Sequence, residues 1–178
     1  MRPVRWTSEE HGGLEHLELD ASDQGVVAES VLIGGEGGFM YRIECDSHWR
    51  VTRVAIRRAG GATLDLLSNA QGNWTDASGR SRIDLEGCID IDISATPFTN
   101  TLPIRRLKLK QDERRIIRVV YIALPEMTAE PVEQAYKRLE ERTFRYEGIT
   151  SHYTAELPVD DDGLVIDYPE LFRRVQSG

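Results

Sequence analysis

Cys88-Ile-Asp-Ile-Asp-Ile-Ser94 alternates apolar and polar side chains without a slip. Successive side chains of an extended strand point to opposite faces, so this stretch reads as a strand. Its isoleucines share one face, and Asp90 and Asp92 share the other. The same period of two recurs outward along the chain. Leu14-Glu-His-Leu-Glu-Leu19 and Met40-Tyr-Arg-Ile-Glu-Cys45 read as half-buried strands, and Ala62–Leu67, Ile104–Leu109 and Arg114–Leu124 as further strands. In Trp49–Arg58 the apolar phase shifts from Trp49 and Val51 to Val54 and Ile56, which predicts a bulge or sharp twist near Arg53. Gly34-Gly35-Glu36-Gly37-Gly38 sits between two strand-like runs and predicts a hairpin connection. A phosphate-cradling loop would need a following helix to aim its N–H groups. Asp161-Asp162-Gly163 predicts an Asp-Gly hairpin between Ala155–Val159 and Leu164–Ile166, since a calcium loop needs more spaced oxygen ligands. Glu130–Arg142 fits either a helix opened by Pro131 or a hairpin of Gln134–Leu139 against Thr143–Glu147, and the alternation around it favours strands.

Length and composition bound the rest. At 178 residues with 40% apolar side chains, the chain is sized for one domain, residues 1–178, with a real core. Strands follow one another without 10–15-residue helices between them, which excludes a doubly wound α/β fold and favours an antiparallel sheet, barrel or roll. A net charge of −8 argues against a nucleic-acid backbone as partner. No apolar run reaches the length of a membrane span, and the first residues carry no secretory h-region, so the expected location is the cytoplasm. Cys45 and Cys88 form no CxxC pair and read as reduced, buried thiols; Glu86 and Asp90 near Cys88 would raise its pKa. His11, His16, His48 and His152 are scattered, without metal-ligand spacing. Lysine occurs only at 108, 110 and 137, so the basic residues are nearly all arginine. Neither a metal nor an organic cofactor is expected, and oligomeric state is not legible.

Two constellations carry possible chemistry. Asp90 and Asp92, about 7 Å apart by strand rise, have glycosidase-like spacing, although a solvated strand face explains them more simply. Ile89–Thr96 also has the pattern of a haloacid-dehalogenase-type phosphatase loop, but the buried parallel strand of a βαβ sheet is absent from the sequence. Thr96-Pro-Phe-Thr-Asn-Thr-Leu-Pro-Ile-Arg-Arg106 brackets a polar run with two prolines and predicts a rigid irregular loop. Asn100 and Thr101 suit hydrogen bonding to sugars or headgroups, unless they satisfy their own backbone. One of Arg105 and Arg106 can pair with Asp90 or Asp92, leaving the other for an anionic head.

The residues just quoted carry a resemblance. Gly13-Leu-Glu-His-Leu17, Tyr41-Arg-Ile, Trp49-Arg-Val, Gly72-Asn-Trp-Thr-Asp76, the long Leu85–Leu107 run and Val159–Val175 together resemble the bacterial glycolipid-binding protein family, over almost the whole chain. The resemblance implies a mainly β, antiparallel spiral β-roll or open half-barrel with little helix. It is likened to lipoprotein-localisation carriers that hold acyl chains on a concave apolar face. It implies a glycolipid or other amphiphile as partner and brings no catalytic residues. Such a site needs an apolar wall and a polar rim. Trp6, Trp49, Trp74 and Phe98 are wall candidates, or core aromatics. Asp90, Asp92, Asn100, Thr101, Arg105 and Arg106 are rim candidates. The alternatives are an enzyme of glycolipid or sugar-ester metabolism using Asp90 and Asp92, or a structural module without ligand.

Overall fold

The computed structural model describes residues 1–9, 12–35 and 37–175. His11, and Glu36 of the glycine-rich connection, lie outside the described residues. Nine strands form one sheet and five another. In chain order, β1 (Arg2–Ser8), β2 (Gly13–Ser22), β3 (Gly25–Gly34), β4 (Gly37–Cys45), β5 (Val51–Arg58), β6 (Thr63–Ser68) and β7 (Trp74–Asp76) make an antiparallel meander. β8 (Asp90–Ile93), β9 (Arg114–Ala123), β10 (Thr128–Glu140), β11 (Thr143–Gly148) and β12 (Tyr153–Pro158) make the second sheet. The short β13 (Asp167–Tyr168) and β14 (Phe172–Arg174) then return to the first sheet beside β1. Neither sheet closes on itself. The fold is mainly β and matches the open roll that the resemblance implied.

Most of the alternation reads out directly. The 130–142 segment is strand, within β10 and the turn after it. The phase shift in Trp49–Arg58 is a bulge: Glu44 pairs with Arg53 but Cys45 with Val51, so Thr52 is the extra residue and the buried set moves to Val54 and Ile56. The Asp161–Gly163 turn is closed by Gly163 N–H donating to the Asp160 carbonyl and flanked by a Val159–Val165 bridge. Gly72, at φ +88°, abuts the backbone of Gly87, leaving no room for a Cβ.

Two expectations are corrected. Thr96–Arg106 is not an irregular loop, nor is Ile104–Leu109 a strand. Phe98–Asn100 makes a 3₁₀ turn and α1 (Thr101–Leu107) a helix. Pro97 precedes the turn and Pro103 sits within the first helical turn, where a missing N–H costs nothing because that N–H has no intrahelical acceptor. Arg105 and Arg106 occupy the last turn, favourable against the helix dipole. Among the described strands one pair departs from the antiparallel pattern. β8 pairs with β9 in parallel, because residues 94–113, including α1, cross over and return the chain in the same sense.

That crossover fills the middle of the roll. Ile91, Ile93, Val120 and Ile122 pack into the large core with Trp6, Leu17, Ile43 and Val54 of the first sheet. A second core gathers Ile104 of α1 with Tyr136, Tyr146, Tyr168 and Phe172. Between them, Asp90 is fully buried rather than solvated and takes a two-pronged ion pair from Arg106, Nη2 to Oδ2 at 2.6 Å and Nε to Oδ1 at 2.9 Å. Burial pushes the Asp90 carboxyl up and the guanidinium pulls it back down. Removing one partner of such a pair strands a buried charge. Arg106→Met is therefore expected to cost about 3–5 kcal/mol in urea unfolding, and adding Asp90→Asn should recover part of the loss. A cost below about 1 kcal/mol would show that the pair does not hold the helix in place.

Candidate functional site

The crossover stops short of one end of the roll. There the two sheets leave a cleft of about 680 Å³. Its first wall comes from β1–β4, with Trp6, Leu32 and Phe39. Its second comes from β9 and β10, with Tyr121, Ala123 and Val132. Tyr146, Tyr153, Tyr168 and Phe172 close one side. Their rings pack edge-on or tilted, with centroids 6.1–6.4 Å apart for each neighbouring pair.

Two of the carboxylates that line the cleft, Glu15 and Asp92, each accept several side-chain hydrogen bonds. Glu15 lies on β2 in phase with Leu17 and Leu19, so the pleat aims it inward and leaves it 3% exposed. Its Oε1 accepts from Ser30 Oγ at 2.8 Å and Tyr41 Oη at 2.6 Å, and its Oε2 accepts from Thr96 Oγ1 at 2.6 Å. Desolvation outweighs these three donors and raises the Glu15 carboxyl to about 7. The same burial, and the Glu15 charge, push the Tyr41 phenol well up. The second carboxylate, Asp92 on β8, accepts from Gln134 Nε2 at 2.5 Å and Thr99 Oγ1 at 3.2 Å, and burial raises it too. Thr96 and Thr99 thus serve one carboxylate each from the 3₁₀ turn and its approach. Tyr136 Oη donates to Asn100 Oδ1 at 2.8 Å beside them.

The rim candidates part company here. Asp92 and Asn100 line the cleft. Asp90 and Arg106 satisfy each other in the interior. Thr101 and Phe98 are fully buried in the packed crossover. Trp74 is buried in the core, where its Nε1–H donates to the Cys88 carbonyl at 2.7 Å. Arg105 lies over the Trp49 ring, 5.2 Å from its centroid, in a separate hollow between α1 and the 159–163 turn. Of the four wall aromatics, Trp6 alone lines the cleft, its Nε1–H donating to the Val165 carbonyl. Burial first, then Asp84 and Asp90, push the Cys88 thiol up to about 11 against the pull of Arg118, which suits an inert buried thiol.

Glu15 and Gln134 escaped the sequence reading. Glu15 was detectable: an acid in the apolar phase of an otherwise regular strand is a buried acid. Gln134 was hidden by the helix-or-strand ambiguity, which left its facing undecided.

A family model described as "Putative glycolipid-binding" matches residues 3–174. The chain belongs to that family. A solved structure of a DUF1089 family protein from Pseudomonas aeruginosa is 35% identical, with a TM-score of 0.80 over 92% of this chain and 92% of that one. No curated protein matches the chain. Among the described residues no helix is long and apolar enough to cross a membrane.

Glu15 also makes stability depend on pH. Its folded-state pKa lies above its ordinary value of 4.5, so the fold prefers the protonated acid. That contribution is complete below about pH 4.5 and is lost as pH rises through about 7. Its span is on the order of 3 kcal/mol. Glu15→Gln should flatten this part of the profile in urea unfolding measured across the window. An unchanged slope would mean that Glu15 titrates normally.

Proposed function

We propose that the cleft binds an amphiphile of the glycolipid class, with the acyl chain along the apolar walls and the head among the polar groups. The observation that carries this reading is the vacancy itself. Protein interiors normally pack to the density of organic crystals, yet the roll leaves about 680 Å³ open, a volume typical of small-molecule sites. Its walls are mostly apolar and aromatic, and a few fixed polar groups converge on it. Each buried CH₂ of a tail contributes about 0.8 kcal/mol, enough over a chain of ordinary length to offset the cost of association. The family description supports the same ligand class.

The enzyme reading loses its original pair, because Asp90 is committed to Arg106 and does not line the cleft. A binder or carrier needs no reacting group there.

Native mass spectrometry of the purified protein, followed by solvent extraction, should show a bound amphiphile. An uncharged apolar dye such as Nile red should bind and be displaced by it. Val132→Trp, at a half-buried cleft position, should lower dye affinity at least tenfold while the protein stays folded by circular dichroism. A folded Val132→Trp variant with full dye affinity would place binding elsewhere, and a protein that takes up no amphiphile or dye would overturn the proposal.

A further inference from the structure

The cleft is one-sided in charge. Among the described residues five carboxylates line it: Glu15 buried and Asp92 half-buried in its depth, and Glu126, Glu130 and Glu133 exposed at its mouth. No lysine, arginine or histidine does so among the described residues. Basic residues make up 22 of 178, so a lining of 33 residues would carry about four at the chain's average. The fold sends its cations elsewhere. Arg105, Arg106, Lys108 and Arg138 border the separate hollow of about 520 Å³ at the other end of α1. Neither Arg105 nor Arg106 is therefore placed to meet a head group in the cleft.

We propose that the amphiphile's head carries no charge and bears hydroxyl groups, and that the cleft rejects phosphate-, sulfate- or carboxylate-bearing lipids. The inference rests on the binding function proposed above and narrows it. It does not depend on which way round the ligand lies, because a head at either end meets carboxylates. An anionic head placed there would be desolvated beside like charge with no countercharge to pair it. A cationic head is served poorly in the depth, where the two carboxyls already accept hydroxyl and amide hydrogens from Ser30, Tyr41, Thr96, Thr99 and Gln134. Burial also raises both acids, and Glu15, pushed up to about 7, carries only part of its negative charge near neutrality. What remains is a set of oriented acceptors and hydroxyls, which suits a polyol. Groups that are hydrogen-bonded and buried discriminate strongly against a head that cannot match them.

Displacement of Nile red at pH 7 by four probes of one chain length tests this: decyl glucoside, decyl phosphate, decyltrimethylammonium and decanol, each below its micelle concentration. Decyl glucoside is expected to bind at least tenfold tighter than decyl phosphate, and tighter than decyltrimethylammonium. In the triple variant Glu126→Gln, Glu130→Gln, Glu133→Gln, which changes only exposed residues, the phosphate should gain several-fold on the glucoside. Phosphate binding as tightly as the glucoside, the ammonium binding tightest, or an unchanged gap in the triple variant would each overturn the inference. If decanol and the charged probes displace the dye as well as the glucoside does, the binding function stands and the head selectivity falls. If none of the four displaces it, both fall.

Discussion

The buried ion pair between Asp90 and Arg106 ties the crossover to the strand it leaves. Asp90 has no access to water, so its carboxylate must be met by a partner, and Arg106 meets it with both prongs from the last turn of α1. With that end held, Thr96–Leu107 lies between the two cores and supplies apolar side chains to each, Phe98 and Leu102 to one and Ile104 to the other. The segment fills the middle of the roll but not its end, and the cleft is what it leaves open.

The same segment also builds the polar part of the cleft. Thr96 and Thr99 reach Glu15 and Asp92, which come from different sheets. One short stretch therefore bridges the sheets by hydrogen bonds at the place where they separate. Full satisfaction of these acids matters, because a buried carboxylate left unpaired is costly. It also makes the floor of the cleft a fixed pattern of acceptors and hydroxyls.

Aromatic rings give the cleft its shape. Tyr146, Tyr153, Tyr168 and Phe172 come from β11, β12 and the two final short strands, and each ring touches the next. This array ties the C-terminal strands to the second sheet although they hydrogen-bond to the first. Ring packing forms that side of the roll, and the Tyr153 hydroxyl donates to the Pro169 carbonyl at 3.3 Å.

Local pattern determined most of the secondary structure. Period-two alternation gave the strands and marked the bulge at Thr52, and turn chemistry marked the Asp161–Gly163 corner. Local pattern failed at 96–107, because prolines read as helix breakers are harmless in a first turn, and whether a turn becomes a helix there depends on what it docks against. It also failed to sort the rim candidates. Alternation says that Asp90 and Asp92 share a face; it cannot say that one meets a guanidinium in the interior and the other opens on a cleft. Which side chains share a cavity depends on contacts between residues far apart in the chain, such as Glu15 with Thr96 and Asp92 with Gln134. Those contacts are set by how two sheets and a crossover pack, and only the folded chain brings them together.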